Sequence, residues 1–220
     1  MKPKRIILVR HGESVGNVDM TVYSKIPDYA LDLTDLGHKQ ARDAGRDILG
    51  IIGTAKVHAY VSPWKRARLT YTHICETLQD QVLKMVEDPL IREQDWGNFA
   101  SVELLLQINR ERSTYGQFHY RVPNGESGAD VYNRISHFID NMYRDFERPE
   151  FPDNALIVSH GMALRIFLCR FFRYSVEYFE TIENLYNAEI LVIERDAYGC
   201  YQLKTPLRLQ SSGRNYDLAI

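Results

Sequence analysis

The 220-residue chain carries 27 Lys and Arg against 29 Asp and Glu, a formal net charge of −2, and 45% of its residues are hydrophobic. That length suits one domain with a sizeable core, and the near-neutral balance argues against nucleic-acid binding through overall charge. Three widely spaced cysteines, Cys75, Cys169 and Cys200, make neither a disulfide framework nor a CxxC metal motif. No apolar run approaches the roughly 20 residues of a membrane span, and the four apolar residues after the basic start are too few for a secretory signal core. The expectation is a reduced, cytoplasmic, soluble protein with no membrane or nucleic-acid partner; nothing in the pattern speaks to oligomeric state.

Taken in chain order, residues 5–10 (RIILVR) form a short continuous apolar run, the pattern of a strand buried on both faces. Gly12, Ser14, Gly16 and Asn17 mark a turn, and 18–32 has no period and reads as a long loop, a kind that is often functional. Thr34 is placed to cap a helix to about Ile52, although Gly37 and Gly45 weaken it. Residues 57–62 read as a second strand, with Pro63 opening a helix through Leu78. A strand over 83–86 and helices over 102–112 and 130–146 follow. Residues 154–160 are a second strongly buried strand, continued by a helix from Met162 to about Phe172. Residues 191–194 and 201–204 suggest a closing hairpin. Strands alternating with helices predict an α/β fold, a three-layer α/β/α sandwich with a mainly parallel central sheet and a single domain over 1–220. Residues 211–220 are polar and expected to be loosely ordered.

The two strongest strands both end in His-Gly, at His11-Gly12 and His160-Gly161. Ligands of open α/β sheets bind beyond the carboxyl ends of strands, so both histidines are delivered to the edge where a pocket forms, and each glycine lets backbone approach a ligand. The remaining histidines, His38, His58, His73, His119 and His137, are read as structural or surface residues.

Residues 8–17 (LVRHGESVGN) resemble the signature of the histidine phosphatase superfamily, which includes cofactor-dependent phosphoglycerate mutases. Four further elements are similar to that family in the same order: Ser62-Pro63-Trp64-Lys65-Arg66-Ala67-Arg68-Leu69-Thr70, Arg92-Glu93-Gln94-Asp95-Trp96-Gly97, Pro123-Asn124-Gly125-Glu126-Ser127 and Val158-Ser159-His160-Gly161. The resemblance implies a phosphoglycerate mutase-like fold and a covalent phosphohistidine mechanism. It makes His11 the nucleophile, attacking as neutral imidazole, and Glu93 the general acid and then the base, with Asp95 a weaker candidate. Arg10, Arg66 and a protonated His160 would stabilise the transferring phosphoryl group, with Asn17 as a neutral donor and Gly161 beside the substrate. Arginine suits that task because its planar fork pairs with phosphate oxygens and never deprotonates. Lys65 and Arg68 are read as surface residues and Glu13 as a structural acceptor, since a carboxylate touching phosphate would repel it.

The mutases of the family carry Asn-Glu-Arg-x-Tyr-Gly around the acid, whereas this chain has Asp95 where a cation would stand. Hydrolysis of a phosphorylated small molecule is therefore favoured over mutase activity, with no cofactor and no metal, since the arginines take the place a cation would have. A catalytically weak binding or scaffold protein is the reading from another class. Residues 99–122 are read as a lid-like insertion, either recognising the leaving group or simply packing an amphipathic helix.

Overall fold

The structure is a computed structural model describing residues 2–97 and 101–210. In chain order its elements are β1 (Arg5–Arg10), α1 (Val15–Val18), α2 (Asp35–Ile52), β2 (Val57–Val61), α3 (Lys65–Leu78), β3 (Val82–Glu87) and α4 (Val102–Tyr115). There follow α5 (Gly128–Phe146), β4 (Asn154–Ser159), α6 (Gly161–Phe172), α7 (Val176–Thr181), β5 (Ile190–Arg195) and β6 (Tyr201–Leu203). The strands form one sheet in the order β3-β2-β4-β1-β5-β6. The first four run parallel, while β5 pairs antiparallel to β1 and β6 antiparallel to β5, so the sheet is mixed but mainly parallel, as expected.

Side chains alternate across a strand, and β1 divides its apolar run between two cores. Ile6 and Leu8 pack with Ile135 and Phe138 of α5 and Phe167 of α6, while Ile7 and Val9 pack with Ile48 of α2 and Ile74 of α3. Burial on both faces is why β1 and β4 read as unbroken hydrophobic runs, and it makes the three layers. No helix among the described residues is long and apolar enough to cross a membrane.

The start of α2 explains its awkward glycines. Thr34 caps the helix by accepting from Gly37 N at 3.0 Å. A Cβ at Gly37 would meet Glu13 O at 2.0 Å, and one at Gly12 would meet Gly37 O at 2.5 Å. The loop after β1 thus lies backbone to backbone on the first turn of α2. Gly12 serves this packing, whereas the sequence suggested approach to a ligand.

Other differences are local. Pro63 precedes α3 instead of opening it, because Trp64 is the cap residue and the helix begins at Lys65. The 18–32 stretch has short structure of its own, 3-10 turns at Met20–Ser24 and Asp28–Ala30. The six-residue α7, capped by Ser175, has no counterpart in the sequence reading. Within the expected 99–122 insertion, α4 is one turn longer than expected. Phe99 and Ala100 lie outside the described residues, as does the polar stretch 211–220.

Candidate active site

The sheet register brings the two histidines together. β1 and β4 are parallel neighbours with Arg10 opposite Ser159, so His11 and His160 each stand one residue past the same rung. Their ring centroids are 5.1 Å apart. Ser62 stands just past the next strand, β2, and its Oγ lies 2.7 Å from His160 Nε2.

His11 is 3% exposed and His160 is fully buried. The Gly12 carbonyl can only accept, so His11 Nδ1 carries the proton of their 2.7 Å hydrogen bond. The lone pair is left on Nε2, which accepts from Arg66 Nε at 3.1 Å. Burial, reinforced by the Arg66 and Arg10 cations, holds His11 well below the usual histidine range. Burial and the two cations therefore favour the neutral imidazole, with its Nε2 lone pair facing Arg66. His160 is held well below that range too, again chiefly by burial, with Arg66 next. Both push against the positive charge that the resemblance implies there. Its Nδ1 is buried without a hydrogen-bond partner among the described residues.

A cavity of about 210 Å³ lies over His11, and its wall includes Arg10, Asn17, Asp28, Arg66, Glu93 and Trp96. Arg10 donates through Nη1 to the Leu185 carbonyl, and its buried Nε has no partner among the described residues. Arg66, only 4% exposed, donates through Nη1 to both the carbonyl and Oδ1 of Asp28, each at 2.7 Å. The Asn17 oxygen accepts from Ser14 N at 3.0 Å and Asn187 Nδ2 at 3.1 Å, which makes the Asn17 NH₂ the end available to a ligand. Leu105 and Asn109 of α4 complete one wall, which supports a lining role for that helix.

Glu93 sits at the start of α6. Its carboxylate accepts from Gln94 N at 2.9 Å, Met162 N at 3.2 Å and Ala163 N at 3.1 Å. The last two are orphan donors of the helix N-terminus, the usual place for an anion. The loop that carries Glu93 is held from behind by Arg134, which donates to the carbonyls of Leu90, Arg92 and Glu93 at 2.6, 2.9 and 3.1 Å. Arg134 is in turn paired with Glu126 at 2.9 Å, which also takes Arg92 at 2.6 Å. Arg134 and Asp28 escaped the sequence reading: each acts on a partner distant in the chain, and neither lies in a segment resembling the family.

Gly161 is the first residue of α6 and does not line the cavity. A Cβ there would meet Asn184 Oδ1 at 2.1 Å, so its smallness admits Asn184. Asp95 is exposed and lines a neighbouring cavity of about 500 Å³ with Lys25, Tyr29 and Trp64. Lys65 pairs with Asp32 at 2.5 Å and Arg68 is half exposed, as read from sequence. Glu13 accepts from Thr34 Oγ1 at 2.7 Å, a structural role. His58 is stacked between Tyr60 and Phe151, His38 and His73 bond each other at 2.8 Å, and His119 and His137 are exposed.

The family model "Histidine phosphatase superfamily (branch 1)" matches residues 6–205. "Phosphoglycerate mutase-like protein AT74H" of Arabidopsis thaliana is 41% identical over 217 residues, covering 91% of this chain and 77% of that protein. "Broad-range acid phosphatase DET1" of Saccharomyces cerevisiae is 28% identical, covering 94% and 90%. In fold, the chain superposes on a mycobacterial glucosyl-3-phosphoglycerate phosphatase with a TM-score of 0.70 at 19% identity, over 94% of this chain and all of that one. The chain belongs to the histidine phosphatase superfamily.

Proposed function

We propose that the protein is a phosphomonoesterase that passes the phosphoryl group of a small phosphate ester to His11 Nε2 and then to water. The observation that carries this reading is the His11 imidazole, neutral, oriented by Gly12 O and opening on a cavity lined by Arg10, Arg66 and Asn17.

The chemistry follows from the contacts. Arg66 Nε now donates to the nitrogen that must attack. An arriving phosphate oxygen takes over that N–H, and the Nε2 lone pair is released as the electrophile docks. Phosphoryl transfer develops charge on the three equatorial oxygens. Arg10 and Arg66 meet that charge with N–H donors, and Asn17 adds a neutral one. The P–O bond breaks as N–P forms, and the leaving oxygen takes its proton from Glu93, a carboxylate in the free protein that picks up this proton from solvent as the ester binds and returns it to solvent after the second step. In the second step Glu93 removes a proton from water, which attacks the phosphohistidine in line and returns His11 neutral. A nucleophile that stays neutral well below the usual histidine range works in acid as well as at neutral pH. That accords with the name of the yeast relative, an acid phosphatase.

The Arabidopsis relative's name keeps the mutase reading in play. Asp95 in the neighbouring cavity is an anion and Arg92 is already paired with Glu126, which speaks for hydrolysis because neither offers a free cation to a second acidic group. The proposal extends to a metal-independent reaction, with the arginines supplying the positive charge. Acid quench would lose a phosphohistidine, so labelled substrate is quenched in alkali, and label is expected on His11. Wild-type turnover in His11→Ala overturns the reading, as does loss of activity on chelation that magnesium or zinc restores for its metal-free part. Interconversion of 3- and 2-phosphoglycerate outpacing phosphate release would establish the mutase instead.

A further inference from the structure

The cavity over His11 is electrically balanced. Its wall holds two cations, Arg10 and Arg66, and two carboxylates, Asp28 and Glu93. His11 is neutral, and burial pushes the Tyr23 hydroxyl up to about 12, so neither adds charge. A phosphate ester dianion entering such a site meets no net attraction, and one of the carboxylates is placed to oppose it directly. Glu93 is drawn back onto the N-terminus of α6. Asp28 is not. It holds the same Arg66 guanidinium that holds His11 Nε2, through two contacts of 2.7 Å. Asp28 therefore occupies, as an anion, a donor that the substrate's phosphate needs.

We propose that Asp28 is a proton-linked positioning residue of the phosphate site: it neutralises Arg66 in the free protein and takes up one proton when the phosphoryl group binds. Protonated, its carboxyl ceases to repel the phosphate, leaves the cavity wall with one net positive charge and gains an O–H donor. The inference rests on the phosphate-site reading of Arg66.

The groups around Asp28 fit this role. Burial raises its carboxyl above the usual range against the pull of Arg66, and the Glu93 and Asp95 charges raise it further. Tyr23 faces it from the 20–24 turn as a neutral hydroxyl, and Lys25 and Arg92 line the wider cavity that Asp28 also borders. Its backbone carbonyl also accepts from Arg66, so the arginine keeps an anchor when the carboxyl changes state.

The test uses sulfate, an anion of phosphate's shape that stays a dianion from about pH 5 to pH 8, so any pH dependence belongs to the protein. In the wild type, sulfate inhibition should weaken about tenfold per pH unit above the Asp28 transition, one proton per site. Calorimetry in two buffers of different ionisation heat should show uptake of one proton. Asp28→Asn keeps the backbone carbonyl contact and removes the charge. It should bind sulfate more tightly at the alkaline end and flatten the pH profile of KM. Sulfate binding by the wild type without proton uptake overturns the proposal. So does an Asp28→Asn variant, folded by circular dichroism, that keeps the wild-type slope, because the proton would then sit on Glu93 or a histidine. Loss of phosphohistidine trapping in the wild type would instead overturn the phosphatase reading beneath it.

Discussion

Arg134 should be worth more to this fold than any exposed ion pair, and Arg134→Met measures how much. The side chain is 7% exposed. It makes five hydrogen bonds, three to the carbonyls of Leu90, Arg92 and Glu93 and two to the Glu126 carboxylate. Methionine fills most of the volume but strands three carbonyls and leaves Glu126 with Arg92 and the Asp95 N–H alone. Breaking a buried pair by removing one partner costs about 3–5 kcal/mol. In a chain of this size about 4 kcal/mol lowers Tm by roughly 8–16 °C. Arg121→Met is the control on the same assay: its partner Asp130 belongs to the same helix as Arg134, but Arg121 is 61% exposed. Such a surface pair is worth about 0–1 kcal/mol. Urea unfolding of both variants gives the difference. Because Arg134 also holds the Glu93 carbonyl, hydrolysis of an alkyl phosphate should fall about a hundredfold through misplacement of that carboxylate. An Arg134→Met variant within about 1 kcal/mol of Arg121→Met would refute the reasoning that the loop depends on this clamp.

Stability should fall on acidification below about pH 6.5, because His11, His160 and His58 are all held below the usual histidine range, His58 at about 4. The unfolded chain then binds more protons than the folded one, and the slope is at most about 1.4 kcal/mol per pH unit per histidine; His58→Phe, which keeps the ring stack, should flatten it in unfolding curves taken at successive pH values. Glu93→Gln should slow alkyl phosphate hydrolysis by roughly 10²–10⁴, while the burst with an aryl phosphate, whose phenolate leaves unaided, falls far less; equal losses in rapid-quench bursts would remove Glu93 as the acid. Gly37→Ala forces a methyl to within 2.0 Å of Glu13 O. It should shift the loop carrying His11, lowering both Tm and turnover, and a variant of wild-type Tm would show that this approach is not tight.

What was legible in the sequence follows from where each contact is encoded. β1 and β4 are buried on both faces, so their apolar runs mark them, and parallel pairing places the residue after each strand at one edge. That is enough to bring His11 beside His160. Arg66 and Glu93 were legible only through resemblance to a family, since nothing in their own spacing points to His11. Asp28 was hidden for a physical reason: it sits in an aperiodic stretch, and its partner Arg66 is 38 residues away on α3. The Glu126–Arg134 pair spans eight residues across a helix start, a separation that no helix or strand period flags. α7, with six residues, is too short for a period to show. The downward push on His160 was not legible either, because it comes from complete burial and from Arg66 beside it.

Most of the groups that meet the reacting centre are tied to backbone. His11 Nδ1 is bound to Gly12 O, Glu93 to three N–H groups, and Arg10 to the Leu185 carbonyl. Backbone partners neither titrate nor change rotamer, so the cost of orienting these groups is met when the chain folds and is not repeated at each turnover. Arg66 is the exception. Its Nε is on the His11 Nε2 lone pair and its Nη1 on the Asp28 carboxylate as well as its carbonyl. In the proposed reaction the phosphate takes the place of two of those three partners, His11 Nε2 and the Asp28 carboxylate. Reorganisation on binding is therefore concentrated in one side chain, and the retained bond to the Asp28 carbonyl is what keeps that side chain in place while the other two exchange.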